Sequence, residues 1–347
     1  MIFDKNQTVF KDCVQERVWE LGTALLPLEV TLPYVPAEYK SACEDLYNFT
    51  YNILVDMYEN PNEFGFAIDS SKQDYKNKKQ VEFYCGVIFW LKNLQGNQYE
   101  VTAKNFKKIM KKFNPISVER LKKHGFVFEH KEDMVVIRNN IYPNMFIAAE
   151  AVIAAGYDNY KVNCSDFMVH CDFRAFEKYR RTYEDLHFVF GDNTRKIAER
   201  LHDYNVCQKV MPQNCNYFYR VEYKHKGKIV YISNLDSKNK LRIYIGFAEL
   251  NGEAYKMIES EIHHYEDYDE FSEFCRKNLK KCTNCTPNCG KKGKPTEIFG
   301  KNTFVCQPYI RIIDPSEHDL KHIFRLIDLR VMLIKAGISE VFYPGNG

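Results

Sequence analysis

The spacing of apolar residues changes character along the chain and divides it into three stretches. Residues 1–100 read as helical. After Pro36, the segment AEYKSACEDLYNFTYNILVDMYEN places Leu46, Phe49, Ile53, Leu54 and Met57 at intervals of three and four, the spacing of one helix face. Pro36 suits the first helical turn, where its missing N–H costs nothing, and Asn60-Pro61 stops the helix. The apolar segment VEFYCGVIFWLKNL, residues 81–94, has a length that suits a buried helix or a strand-rich core piece, and helix is the preferred reading. The polar, lysine-rich DSSKQDYKNKKQ links the two.

From Val101 the periods alternate. In TAKNFKKIMKKF, Phe106, Ile109, Met110 and Phe113 share one helical face, while Lys104, Lys107, Lys108, Lys111 and Lys112 lie elsewhere. Asn114-Pro115 breaks this helix. ISVERLKKHG predicts a second, short one, with Ser117 as N-cap and Gly125 just past its end. FVFEHK and DMVVIRN then read as two strands joined around Glu132-Asp133. Helix, break, helix, hairpin is the element order of a winged helix-turn-helix, so residues 101–160 form a winged-helix-like segment ending in the small-residue helix NMFIAAEAVIAAG.

Residues 161–347 predict an α+β domain. KVNCSDFMVHCDFRAF is irregular or strand-like, and NTRKIAERLHDYNV is a helix. NYFYRVEYKHKGKIVYIS predicts a hairpin turning at Lys226-Gly227, followed by the strand LRIYIGFAEL. The helix FSEFCRKNLKK leads into CTNCTPNC, and the short strand YIRII leads into a last helix. That helix is expected to start with Asp314 as cap, Pro315 at the first position and Glu317 closing a capping box, with an apolar stripe of Leu320, Ile323, Phe324, Ile327, Val331 and Ile334. The expected fold class is therefore α+β: a helical N-terminal half containing the winged-helix-like segment, then an antiparallel sheet with packed helices and a cysteine-rich, zinc knuckle-like loop. The expected domains are 1–100, 101–160 and 161–347.

Composition narrows the function classes. A net charge of +3 over 347 residues argues against a protein that coats polyanions broadly, though not against a local basic patch. There is no apolar run of about 18 residues and no apolar core to a leader at the N-terminus. The expectation is a cytoplasmic protein with no membrane partner. In that compartment the 12 cysteines are thiols or metal thiolates rather than disulfides.

Four cysteines are clustered as C-x2-C-x3-C-x16-C: Cys282, Cys285, Cys289 and Cys306. Zinc takes four soft ligands in a tetrahedron, and two cysteines two residues apart reach one ion from a tight turn. Thr283, Asn284, Pro287, Asn288 and Gly290 are turn formers, and Lys280, Lys281, Lys291 and Lys292 offset the charge of a four-thiolate centre. The expected cofactor is structural Zn2+, with Cys275 as an alternative fourth ligand and a metal-free cysteine loop as the competing reading.

Two further surfaces are candidates. Lys107, Lys108, Lys111, Arg120, Lys122 and Lys123 could contact nucleic-acid phosphates, against the plainer reading of a solvated helix face. Tyr217, Tyr219, Arg220 and Tyr223 could form a ligand platform for a small molecule or a single strand, against the reading of a sheet face packed on the last helix. The P-loop, GxSxG, HExxH and GxGxxG signatures are all lacking. The leading expectation is a non-enzymatic regulatory or ligand-binding protein with a structural zinc site, one that could contact nucleic acid through residues 104–124. The alternatives are an enzyme of unfamiliar type, with His170, Asp172 and Arg174 at a site between the halves, and a structural or assembly partner.

Overall fold

The computed structural model describes residues 3–7, 9–66, 81, 94–95, 97–111, 115–160, 170–177, 185, 188, 190–213, 220–235, 240–246, 253–281, 294–298 and 301–338. Helix and antiparallel sheet are mixed throughout, so the protein is α+β. The chain divides into two compact units, Met1–Tyr179 and Arg180–Gly347.

In the first unit, α1 (Cys13–Ala24) starts where the Asp12 side chain accepts from the Gln15 N–H at 2.8 Å. Such a cap satisfies one of the orphan donors of a helix N-terminus. It packs against α2 (Lys40–Glu59), whose buried positions include Leu46, Phe49, Ile53, Leu54 and Met57 as the spacing predicts. The same helix also meets α5 (Met145–Tyr160), where Ala148 and Ala149 are buried and allow close approach. Of the predicted 81–94 helix only the ends are described: Val81 is helical, and Leu94 belongs to a strand.

Among the described residues, four antiparallel strands complete this unit: β1 (Leu94–Gln95), β2 (Gln98–Thr102), β3 (Phe126–Lys131) and β4 (Met134–Asn139), in the spatial order β1-β2-β4-β3. Tyr99 pairs with Ile137, and Phe126 with Asn139. The buried face of this sheet is aromatic. Tyr99 meets Phe146 edge-on at 4.6 Å, and Phe126 lies 5.5 Å from Phe49. Between β2 and β3 run α3 (Ala103–Met110) and α4 (Pro115–Lys123). Thr102 caps α3 by accepting from Asn105 N–H at 3.3 Å. The second helix begins two residues before the predicted Ser117 cap, because Pro115 itself takes the first helical position.

Gly125 ends α4 at φ +89°, and a Cβ there would sit 2.4 Å from Asn139 Oδ1. That oxygen is already committed to the N–H groups of Ile141 and Tyr142, while Asn139 Nδ2 donates to His124 C=O. Conformation and space both require glycine here.

The second unit is built on a seven-stranded sheet. Its strands are β5 (Met211–Gln213), β6 (Val221–His225), β7 (Lys228–Leu235), β8 (Leu241–Gly246), β9 (Leu279–Lys281), β10 (Lys294–Ile298) and β11 (Lys301–Ile313). The order is β10-β11-β8-β7-β6-β5, with β9 also pairing to β11. The β6–β7 turn falls at Lys226 and Gly227 with φ of 47° and 76°. Two successive positive φ values match the turn to the right-handed twist of the strands.

The helices are α6 (Asp192–Cys207), α7 (Glu253–Ile262), α8 (Tyr268–Asn278) and α9 (Leu320–Lys335). The last helix packs on β7 and β8, while α6 and α7 contact it as well. That explains why Leu326, Leu329, Leu333 and Arg330 are buried in addition to most of the predicted stripe. The start of α9 also differs from the sequence expectation. Ser316, rather than Asp314, makes the capping turn: its Oγ donates to Asp319 Oδ2 at 2.6 Å and its N–H to the same oxygen at 2.7 Å. Asp314 sits at φ +53°, where a helix cannot begin.

α4 is fastened to α2 by ions. The Asp56 carboxylate accepts from Arg120, with Nε at 2.7 Å, and lies 2.8 Å from His124 Nε2. Burial pushes the Asp56 carboxyl up, but the hydrogen bonds from Arg120, His124 and Asn60 more than offset this and hold it below its ordinary value. The group therefore stabilises the folded state above the ordinary carboxylate pKa and ceases to as pH falls through its folded-state pKa. Arg120→Ala should lower unfolding free energy by about 2 kcal/mol in urea titrations at neutral pH. Asp56→Asn should flatten the acid limb of the stability–pH curve; an unchanged limb would show that the network carries no linkage.

Candidate functional sites

Phe106 on α3 packs against Phe128 at 5.5 Å and His130 at 5.7 Å. This fixes the roll of α3 and leaves Lys104, Lys107, Lys108 and Lys111 exposed. Their offsets of three, four and seven residues form one stripe, and α3 contains no acidic residue.

Arg120 behaves differently from its lysine neighbours. Its guanidinium bonds Asp56 and Glu63 and lies over the Phe64 ring, so its charge is engaged inside the unit. Lys122 pairs with Glu119 at 2.7 Å and Lys123 with Glu63 at 3.8 Å; both lysines are exposed. Exposed pairs of this kind contribute about 0–1 kcal/mol and exchange readily for another anion.

Of the candidate ligand platform, Tyr217 and Tyr219 lie outside the described residues. Tyr223 is buried and stacks on Tyr231 with 4.3 Å between ring centroids. Arg220 is half-buried, with a guanidinium nitrogen 3.6 Å from Glu222. Tyr223 is thus part of the core.

Cys282, Cys285 and Cys289 also lie outside the described residues, and Cys306 falls within β11. The backbone register around them is informative. Lys281 pairs with Val305, so the residues immediately before Cys282 and Cys306 are cross-strand partners. Cys275, the alternative ligand, is buried on α8, and burial raises its thiol above the ordinary range.

Around His170, the Arg174 guanidinium donates to Asp172 through Nε at 2.7 Å and a terminal nitrogen at 3.1 Å, and both side chains are buried. Cys171 is buried beside them, and burial pushes its thiol up to about 12. A nucleophilic cysteine needs its thiolate near neutral pH. This arrangement opposes one, and the Asp172–Arg174 pair has the geometry of a structural bridge.

One cluster was missed from the sequence. Glu270 on α8 lies with Oε1 3.1 Å from His318 Nε2 and 3.3 Å from His322 Nε2. The two histidines are four residues apart across the start of α9, where His322 N–H bonds Asp319 C=O at 3.1 Å. The H-x3-H spacing was a readable signal, but the third member is separated from it by about 50 residues. The adjacent pair His263 and His264, by contrast, is exposed.

The thiols supply a direct check on burial. Alkylation at about pH 8 should modify the exposed Cys207 rapidly and leave Cys43, Cys171 and Cys275 unmodified until denaturant is added, as read by mass spectrometry of peptides. Among the described residues, no helix is long and apolar enough to cross a membrane. Comparison of the chain with protein families, with curated proteins and with solved structures found no match.

Proposed function

We propose that the protein is a non-enzymatic nucleic-acid-binding regulator, with a winged-helix module in its first unit and a structural zinc centre in its second. The observation that carries the reading is the strand order β2-β4-β3, with α3 and α4 inserted between β2 and the β3–β4 hairpin. In a winged helix-turn-helix the first strand pairs with the last, the second of the inserted helices enters the groove, and the hairpin is the wing. Helix-turn-helix proteins lay the first helix of the motif across the phosphate backbone, and here that helix carries the stripe Lys104, Lys107, Lys108 and Lys111. Lys122 and Lys123 on α4 add exposed positive charge, whereas Arg120 serves to hold α4 on α2.

Ionic contacts of this kind release counterions, so binding should weaken steeply with salt, by about 0.9 in the log–log slope for each phosphate neutralised. The full chain, titrated with a labelled duplex at about 50 and 200 mM salt, should bind more tightly at the lower value. Lys107→Ala/Lys108→Ala/Lys111→Ala should lower the slope by about 2.7, at about 0.9 per contact. Because these lysines are exposed, circular dichroism should be unchanged. Absence of binding at low salt, or an unaltered slope in the triple variant, refutes the reading.

The zinc centre would use Cys282, Cys285, Cys289 and Cys306. It is supported by the register that sets the residues before Cys282 and Cys306 opposite each other. A closed four-thiolate site would tie the ends of this segment together and stabilise the β9–β11 edge. Protein purified without chelator should contain about one equivalent of zinc at this centre, and Cys285→Ser/Cys289→Ser should lose it. In cobalt-loaded protein, the same double variant should lose the thiolate-to-metal charge-transfer absorption. Zinc below about half an equivalent would sink the assignment.

A further inference from the structure

The Glu270–His318–His322 cluster combines the donor types that zinc and its neighbours in the first transition row prefer, two imidazoles and a carboxylate. Its dimensions can be compared with a coordination shell. Zinc–nitrogen and zinc–oxygen bonds of about 2.0–2.1 Å in a tetrahedron place ligand atoms about 3.3 Å apart. The two edges that meet at Glu270 Oε1 measure 3.1 and 3.3 Å. All three donor atoms lie within 4.8 Å of one another, so the remaining edge, between the histidines, has to shorten by at most about 1.5 Å to reach the tetrahedral value.

The freedom to shorten it lies in the right place. His318 is 75% exposed and can swing, whereas His322 is 2% exposed and held between α8 and α9, its ring 4.8 Å from that of Phe274 and 5.8 Å from that of Phe271. The cluster thus has one fixed imidazole, one adjustable imidazole and a carboxylate between them.

The carboxylate is divided between two tasks. Oε1 faces the imidazoles, and Oε2 accepts from Lys321 Nζ at 2.7 Å. Coordination through Oε1 leaves the lysine bond in place as the group that orients the carboxylate. The other nearby cation, Arg325, is bound to Asp267 and lies over the Tyr265 ring at 4.5 Å. Asp267, Glu270, Lys321 and Arg325 together cancel in charge, so an incoming dication meets no net repulsion from them.

We propose that Glu270, His318 and His322 form a second metal site, binding one divalent transition-metal ion of the zinc type through Oε1 and the two Nε2 atoms. With two of the three protein ligands, Glu270 and His318, exposed, the fourth position opens to solvent. This is the arrangement of exchangeable sites, in contrast to closed four-ligand structural ones. The site is independent of the cysteine centre in ligand chemistry and in sequence.

The test uses the full chain as purified without chelator. Wild type, His318→Ala, Glu270→Gln and Lys321→Gln are saturated with Co2+ or Zn2+, freed of excess ion, and analysed for bound metal. His318 and Glu270 are surface residues, so these variants retain the fold, which the thermal transition without added metal verifies. Wild type should hold about one equivalent more than His318→Ala, and Glu270→Gln should bind at least ~10-fold more weakly. The cobalt spectrum of this site should lack thiolate charge transfer, and the cysteine-centre band should be the same in His318→Ala as in wild type. Lys321→Gln should bind more weakly, by up to about 10-fold, because the bond that orients the carboxylate is weakened. Equal metal content and equal titration curves for wild type, His318→Ala and Glu270→Gln overturn the proposal, as does thiolate charge transfer accounting for all the bound cobalt.

Discussion

The carboxylate of Asp56 decides where α4 can lie, and with it the geometry of the basic surface. It comes from the last full turn of α2 and gathers three donors, Arg120, His124 and Asn60, while Glu63 takes a further hydrogen of Arg120. A charge in a half-buried position is costly unless it is matched, and here hydrogen bonds from opposite directions match it. The network clamps one side of α4 to α2. The sequel, at Gly125, turns the chain sharply into β3 because Asn139 occupies the space a side chain would need. Helix and hairpin are therefore set by two polar anchors, Asp56 and Asn139, at either end of an otherwise aromatic core.

In the second unit the equivalent constraint is α9. A helix covered by sheet on one side and by helices on the other has little surface left for polar residues, and its buried Arg330 is accommodated by donating to the carbonyls of Ile229 and Ile338. The same crowding accounts for His322. It faces α8 near the start of α9, where the apolar wall of Phe271 and Phe274 gives way to the charged rim of Glu270, Asp267 and Lys321. A polarity boundary of this kind packs the ring against the aromatic wall and leaves Nε2 facing the Glu270 carboxylate.

Much of the architecture was legible from local pattern. The α2 stripe, the lysine face of α3, the Glu132-Asp133 and Lys226-Gly227 turns and the Gly125 terminus all follow from three- and four-residue spacing or from turn chemistry, which depend on neighbours in sequence. The departures are local competitions. Pro115 displaced Ser117 as the start of α4, and Ser316 with Asp319 displaced Asp314 and Glu317 at α9, because two acceptable caps lay within one turn and the backbone at Asp314 favoured a left-handed bend. The candidate sites were less legible. Arg120 and its lysine neighbours look alike in sequence, yet one is bound to Asp56 across 64 positions and the others face solvent.

The sequence by itself determined the α+β class, helices α2 to α6, α8 and α9, the β3–β4 and β6–β7 hairpins and the clustering of four cysteines, since each is a property of adjacent residues. By contrast, β1 and the start of β2 lie where residues 1–100 read as helical. Only the tertiary structure decided the strand order β2-β4-β3, the commitment of Arg120 and Tyr223 to the interior, and the meeting of Glu270 with His318 and His322. The physical reason is common to all three. Strand pairing, charge pairing and ring stacking act over a few ångströms in space, and the chain carries no short-range signal of which distant residue will be there.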